Sequence, residues 1–172
     1  MSSVVRLAVE ADAEPLAKLA EAFHAEHGDP TGYLTAEAIR RDGFGDDPEF
    51  RVLVAEGPDG LIGYALFHDA YEPAYAARGI YMADLYVWPP ARGLGLGRRL
   101  IAAVAEHARR HGRSYVWWVA RASNTPAHGF YRTLASLELD TKAFGVTLEE
   151  FEALAEEHAG QQPGEYAGRP RA

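Results

Sequence analysis

Residues 92–97 read RGLGLG, three glycines in alternation between an apolar stretch and a long amphipathic one. The apolar stretch, residues 80–88, predicts a buried strand that ends at Pro89 and Pro90. The stretch after the glycines has apolar residues at the three- and four-residue spacing of one helix face: Leu96, Leu100, Ile101, Val104 and Ala108. The sequence therefore predicts a strand, a glycine-rich turn and a helix that begins at the glycines.

The alternating glycines predict an anion site that suits a diphosphate. Glycine has no Cβ, so a ligand can approach the main chain closely, and the start of a helix offers N–H groups and partial positive charge. The common nucleotide motifs fit less well, because a Walker loop needs a lysine and the GxGxxG motif meets Arg98 at its last position. A plain strand-to-helix turn needs only one glycine, and each further one costs roughly 0.5 to 1 kcal/mol relative to alanine.

Positive charge is concentrated around this turn. Residues 91–132 contain eight arginines and one acidic residue, Glu106, for a net charge of +7, whereas the rest of the chain carries −15 within a total of −8. A basic segment around a glycine turn favours a ligand with several phosphates, and an acidic remainder favours cationic substrates or simple solubility. The low pI of about 5.3 argues against nucleic acid as a partner.

The chain resembles the GNAT superfamily of acyl-CoA N-acyltransferases, whose pyrophosphate loop has Arg or Gln, two residues, Gly, one residue, then Gly or Ala. Arg92, Gly95 and Gly97 match this pattern. Residues 124–131, NTPAHGFY, look like the helix that follows in the family, and residues 34–56 and 80–87 look like its diamine (spermidine/spermine) acetyltransferase branch. The resemblance implies an α/β fold with a mixed, mostly antiparallel central sheet flanked by helices.

The resemblance also implies an activity and a set of site residues. It implies an N-acetyltransferase that moves an acetyl group from acetyl-CoA directly to a primary amine of a small molecule or a lysine-like side chain. A catalytically weak or inactive acyl-CoA binding module is the alternative. The implied catalytic residues are Tyr131 and Asp84. The implied cofactor-binding residues are Leu85, Tyr86, Val87, Arg92, Gly93, Leu94, Gly95, Leu96, Gly97, Arg98 and Asn124.

Two protons must move in such a reaction. An amine with a pKa near ~10.4 is almost wholly protonated at pH 7, so a base or a water chain must expose its lone pair. Tyr131 is a candidate to protonate the leaving thiolate, although by residue type alone a tyrosine more often simply packs. Asp84 interrupts an apolar strand, and it either binds backbone donors or faces the cleft to handle protons or a cationic substrate.

The acceptor site departs from the diamine branch. That branch typically has a glutamate before the aspartate, implicated in removing a proton through water, and this chain has Ala83 there. Residues 24–33 contain only two acids, Glu26 and Asp29, where polyamine-type members are richer. These departures predict a smaller amine as acceptor, with spermidine and spermine as poor substrates.

Composition predicts a single domain over residues 1–160 and a disordered tail over 161–172. The chain has no cysteine, which excludes an enzyme thioester and thiolate zinc sites, and its seven histidines show no metal-ligand spacing. No apolar run reaches the ~20 residues of a membrane span, and the N-terminus does not read as a secretory signal. These two observations predict no membrane partner and a cytoplasmic location.

The last predicted helix has an apolar face formed by Leu148, Phe151, Leu154 and Ala155. This face could be the interface of a homodimer, or it could dock on the chain's own sheet.

Elsewhere the pattern predicts strands at residues 4–9, 50–56, 61–67 and 114–120. The GPDG at residues 57–60 predicts a hairpin between the second and third of the five strands. Helices are predicted after Asp12 as far as Gly28, after Thr35 as far as Gly43, from about Asn124, and after Thr147 to about residue 158.

Overall fold

The computed structural model describes residues 3–161 of the chain. Within these residues it has five strands and five α-helices, besides three short 3-10 helices. The order is β1 (Val4–Leu7), α1 (Ala13–His27), α2 (Ala36–Phe44), β2 (Arg51–Gly57), β3 (Gly60–Glu72), β4 (Ala77–Val87), α3 (Leu96–Arg110), β5 (Val116–Trp117), α4 (Thr125–Tyr131) and α5 (Leu148–Gln161). The chain divides after Leu134 into two compact units, the second of which contains α5. In this part of the chain no helix is long and apolar enough to cross a membrane.

The five strands form one sheet in the order β1-β2-β3-β4-β5. Neighbouring strands are antiparallel except β4 and β5, which are parallel and share only the pairs Ile80 with Val116 and Tyr81 with Trp117. The predicted hairpin joins β2 to β3, with Gly57 opposite Gly60. The mixed, mostly antiparallel sheet is therefore confirmed.

Helices cover both faces of the sheet. On one face α3 packs over an apolar cluster from β2, β3 and β4, and all five residues of its predicted apolar face are buried. On the other face α1 and α2 pack over a second cluster, in which Leu16, Leu19 and Ile39 meet Tyr64 and Tyr86. The side chains of β4 therefore alternate between two cores, which explains its nearly continuous apolar sequence.

Strand β5 is shorter than the predicted 114–120, because its partner bends away. A bulge interrupts the β3–β4 pairing between Met82 and Asp84, so Ala83 has no residue opposite it on β3. A bulge bends its strand and increases the local twist. The bulge lies two residues after Tyr81, the last β4 residue paired with β5, and the residues after Trp117 therefore lose their partner strand.

Two other boundary predictions have different outcomes. Thr35 caps α2 as predicted, since its hydroxyl accepts a hydrogen bond from the Ala38 N–H at 3.1 Å. The prediction that Asp12 caps α1 is wrong: its carboxylate accepts hydrogen bonds from the Arg6 guanidinium and the Val9 N–H instead. The Arg6 side chain, reaching from β1, outcompetes neutral helix amides for a carboxylate.

Helix α1 ends as predicted at Gly28, whose φ of 69° is left-handed. Helix α2 runs one residue past the predicted Gly43. The single domain over 1–160 stays a prediction, and the tail from residue 162 onward lies outside the described residues.

Gly63 gives a test of the β3–β4 pairing. A Cβ there would lie 2.8 Å from the Tyr86 carbonyl oxygen, which is main chain and cannot move aside. We expect Gly63→Ala to lower the free energy of unfolding by about 1 to 3 kcal/mol, the usual cost of overpacking, as measured by urea denaturation. Gly129→Ala is the control, because nothing lies within 4 Å of its Cβ position. Equal denaturation midpoints for the two variants would contradict the assigned packing.

Candidate active site

The glycine turn joins the end of β4 to the start of α3. Gly93 and Gly95 have φ values of 79° and 73°, and nothing lies within 4 Å of either Cβ position. Gly95 is the N-cap residue of α3 and provides no capping side chain. Since the first N–H groups of a helix have no intrahelical acceptor, the amides of residues 95–98 form an uncapped, positively polarised helix start.

Gly97 serves a different purpose from the other two glycines. It is helical, and a Cβ there would lie 3.3 Å from Cζ of Phe130. The absence of a side chain lets α4 rest against the first turn of α3. The residue after Phe130 is Tyr131, the predicted acid, so this close approach holds the end of α4 on the α3 side of the sheet.

The Arg92 side chain holds the turn against two other elements. Its Nε donates to the Val87 carbonyl at 2.9 Å, and its Nη2 pairs with the Glu26 carboxylate of α1 at 2.6 Å. This pairing lowers the pKa of Glu26. The Arg92 amide donates to the Pro89 carbonyl. Both the amide and the guanidinium of Arg92 are thus engaged within the protein, and the cradle of N–H groups begins after it.

The edge of β4 beyond Tyr81 has no partner strand among the described residues. The Trp88 N–H donates to Ile62 on β3, and main-chain groups of successive strand residues point to opposite edges. The main-chain groups of Leu85 and Val87 therefore face the open edge. The Val87 carbonyl there is already taken by Arg92 Nε, so the main-chain groups of Leu85 and the N–H of Val87 are the ones with which a ligand could pair. The main chain of Tyr86 faces β3, and its side chain is buried in the core beneath α1.

Asp84 lies on the α1 side of this edge in a mostly buried cluster. Its Oδ2 accepts a hydrogen bond from the Tyr64 hydroxyl at 3.0 Å and lies 3.9 Å from His24 Nε2. Burial raises the pKa of Asp84, and the Tyr64 hydrogen bond and the nearby His24 oppose that effect. A carboxyl whose pKa is raised accepts a proton more readily near neutral pH, as a general base requires.

The end of α1 is tied to the loop before α4. Arg121 donates to the His27 carbonyl at 2.7 Å and pairs with the Asp29 carboxylate. Asn124 uses its Oδ1 to accept from the Ala127 N–H at 3.3 Å, and its Nδ2 lies 3.4 Å from His27 Nε2. The side chain of Asn124 therefore caps α4 and contacts α1.

Tyr131 lies on the opposite face of the sheet from Asp84. Its ring packs against the cluster beneath α3, with the ring centroids of Trp118 and Phe130 at 5.4 Å and 5.3 Å. Burial raises the pKa of Tyr131. The hydroxyl therefore stays protonated at neutral pH and can act as a proton donor.

The structure brings the predicted residues to one edge of β4 but on two faces. The glycine turn and Tyr131 belong to the α3 side, and Asp84 belongs to the α1 side. Sequence reasoning missed His24, Tyr64 and Arg121. The three-residue spacing of His24 and His27 was a signal that both lie on one face of α1, whereas nothing local links Tyr64 or Arg121 to Asp84. No group of three or more potential metal ligands occurs within residues 3–161.

The arrangement fits acetyl-CoA. The uncapped start of α3 suits a diphosphate. The main-chain groups of Leu85 and the N–H of Val87 suit the amide-containing arm of the cosubstrate, and the Tyr131 hydroxyl suits a leaving thiolate. When bound, acetyl-CoA would supply an activated acetyl group. The roles of the individual residues stay predictions.

Comparison with known proteins gives a consistent result. Residues 13–135 match the family model described as the acetyltransferase (GNAT) family. The chain is 38% identical over 120 residues to a thialysine N-epsilon-acetyltransferase from Sus scrofa. That alignment covers 65% of this chain and 69% of the relative. It is 28% identical over 116 residues to the spermidine/spermine N(1)-acetyltransferase-like protein 1 of Homo sapiens, covering 63% of this chain and 16% of that protein. Among solved structures, an integron cassette protein of V. cholerae superposes with a TM-score of 0.76 at 23% identity, over 91% of this chain and 99% of that one.

The glycine turn is tested by Gly95→Val. The left-handed φ of 73° becomes strained by about 1 to 2 kcal/mol with a side chain, and the added methyls cover the helix start. We expect the affinity for CoA, measured by calorimetry, to fall at least about tenfold, or ~1.4 kcal/mol.

Gly112→Val is the matched control, because Gly112 has a φ of 68° just beyond the other end of α3 and is equally open. It should lose similar stability and keep CoA binding. Equal affinity in both variants would show that the phosphate site lies elsewhere.

Proposed function

The chain belongs to the acetyltransferase (GNAT) family, and from that premise we propose that it acetylates the side-chain amine of a small, lysine-like acceptor. As a member of this family it is an N-acetyltransferase with acetyl-CoA as cosubstrate. The proposal adds the kind of acceptor and the roles of particular residues. The observation that carries it is the pairing of the acids around Asp84.

Three carboxylates lie near the acceptor side of β4, and two of them are already neutralised. Glu26 pairs with Arg92, and Asp29 pairs with Arg121. Among residues 3–161, no arginine pairs with the third carboxylate, that of Asp84. A long polycation would therefore meet one available carboxylate, and a monoamine would find the single charge it needs.

The family relatives support the same choice. The more similar relative, at 38% identity, is named for thialysine, an amino acid with one side-chain amine, whereas the one named for spermidine and spermine is 28% identical. Ala83, immediately before Asp84, leaves no second carboxylate at that position of β4.

The chemistry assigned to the residues follows from their surroundings. Asp84 holds the acceptor ammonium and takes its proton, since its raised pKa makes it a better base than an exposed aspartate. Tyr131, kept neutral by burial, donates a proton to the departing thiolate. The start of α3 and the open edge of β4 hold the cosubstrate.

We also propose a homodimer in the cytoplasm. The exposed apolar side chains of α5 support the dimer, since Leu148, Phe151 and Leu154 are 83%, 55% and 53% exposed. The cytoplasmic location rests on the sequence alone.

Replacing the Tyr131 hydroxyl tests the proposed acid. Tyr131→Phe keeps the ring contacts with Trp118 and Phe130 and removes the proton donor. We expect the turnover number to fall by roughly 10- to 10³-fold with little change in CoA affinity, measured as thiol release from acetyl-CoA with an amine present.

Tyr115→Phe, a tyrosine that lies over Gly79, is the control and should keep full turnover. An undiminished rate in Tyr131→Phe would remove this residue from the mechanism. If the unmodified protein bound CoA but released no thiol with any amine, it would be a binding module.

The acceptor class is tested by comparing thialysine, lysine and ornithine with spermidine and spermine. We expect the amino acids to have the higher kcat/KM, and Ala83→Glu to raise kcat/KM for spermidine roughly 2- to 5-fold, the range of one exposed ion pair. Ala105→Glu, which adds the same charge on an exposed position of α3, should have no effect. Efficient acetylation of spermine by the unmodified protein would overturn the proposed acceptor.

A further inference from the structure

We propose that His24 is the residue that carries the acceptor's proton from Asp84 to water. This inference rests on the proposed role of Asp84 and adds a second residue to it. His24 lies on the last turns of α1, the helix that covers the Asp84 side of the sheet. It is not among the residues that the glycine turn or the β4 sequence would indicate.

Asp84 has one fully buried neighbour, Tyr64, and one partly exposed neighbour, His24. Tyr64, fully buried, donates its hydroxyl to Asp84 Oδ2, and His24 Nε2 lies 3.9 Å from the same oxygen. The side chain of Asp84 is 16% exposed and that of His24 is 22% exposed. Tyr64 is fully buried and His24 is partly exposed, so of these two neighbours His24 is the one through which a proton from Asp84 can reach water. At 3.9 Å the two atoms are too far apart for a direct hydrogen bond, so the transfer requires one of the side chains to move closer.

The reaction needs such an exit because one proton is released in each turnover. The acceptor begins as an ammonium and loses two protons as the new amide bond forms and the thioester bond breaks. One proton goes to the thiolate through Tyr131. The other passes from nitrogen to Asp84, from Asp84 to His24 Nε2, and from the imidazolium to water. An imidazole suits this step, because its ring nitrogens can accept a proton and pass it on.

Other charged or titratable groups at this site are already engaged. Glu26 and Asp29 are held by Arg92 and Arg121. The ring nitrogens of His27 face the Phe23 carbonyl at 2.9 Å and Asn124 at 3.4 Å. Tyr86 is packed in the core, and burial raises its pKa.

The test compares His24→Gln, Asp84→Asn and the double variant in steady-state kinetics over a range of pH. Glutamine keeps a hydrogen-bonding side chain but does not accept a proton. We expect His24→Gln to lower kcat about tenfold near pH 7, with unchanged CoA affinity. Because its proton must then leave to buffer or hydroxide, the rate should rise with buffer concentration and with pH beyond the point where the unmodified enzyme levels off.

Two further measurements separate a proton relay from a packing role. In a relay, the double variant loses no more than Asp84→Asn alone, because the two residues act in one step. Added imidazole should restore much of the rate of His24→Ala, which it would not do for a folding defect. His111→Gln, a histidine beyond the end of α3 that stacks on His107, is the control and should behave like the unmodified enzyme.

The outcomes distinguish the relay from the function on which it rests. If Asp84→Asn loses turnover while His24→Gln keeps the normal kcat and pH profile, the relay is wrong and the role of Asp84 stands. Independent, multiplicative losses in the double variant would also overturn the relay. If Asp84→Asn keeps full turnover, the proposed base is wrong, and the inference about His24 falls with it.

Discussion

The parallel pairing between β4 and β5 lasts for only two residue pairs, and the candidate site occupies the edge that this short pairing leaves open. The bulge at Ala83 follows the second pair, so β4 bends where β5 would otherwise continue along it. Beyond the bulge, β4 stays paired to β3 and keeps the main-chain groups of Leu85 and Val87 on the open edge. A longer β5 would use those groups in the sheet and leave nothing for a ligand.

Strand β4 has the proposed proton donor on one face of the sheet and the proposed proton acceptor on the other. On the α3 side, the helix start and Tyr131 surround the place proposed for the cosubstrate. On the α1 side, Asp84, Tyr64 and His24 form the proposed proton-handling group. Because successive β4 side chains alternate between the two cores, one short segment supplies residues to both. The sheet thereby separates the residue that receives protons from the one that donates them.

Arginines have two effects on the candidate site: they make the segment around the glycine turn positive, and they pair with acids of the α1 region. The positive segment favours phosphate binding, but Arg92 and Arg121 use their guanidinium groups to neutralise Glu26 and Asp29 of the α1 region. Those pairs are partly exposed, so each contributes little to stability. Their larger consequence is that they reduce the net negative charge near Asp84. The pairs leave one carboxylate for a cationic acceptor, which is the physical basis for expecting a monoamine.

Much of this structure was predictable from the sequence, because the deciding signals are local. The periodicity of α3, the left-handed glycines at the turn and the GPDG hairpin depend on residues within a few positions of one another, and the family resemblance added the class of reaction. Where the sequence was insufficient, the deciding contacts were distant in the chain. Asp12 binds Arg6 of β1 instead of capping α1, and β5 ends where β4 bends. Gly97 makes room for the ring of Phe130, which lies 33 positions later. The grouping of His24, Tyr64 and Asp84 joins a helix to two strands, and only packing of α1 on the sheet decides that distance. Sequence patterns thus determined the elements and the phosphate turn, whereas tertiary packing decided which charges meet and which remain available.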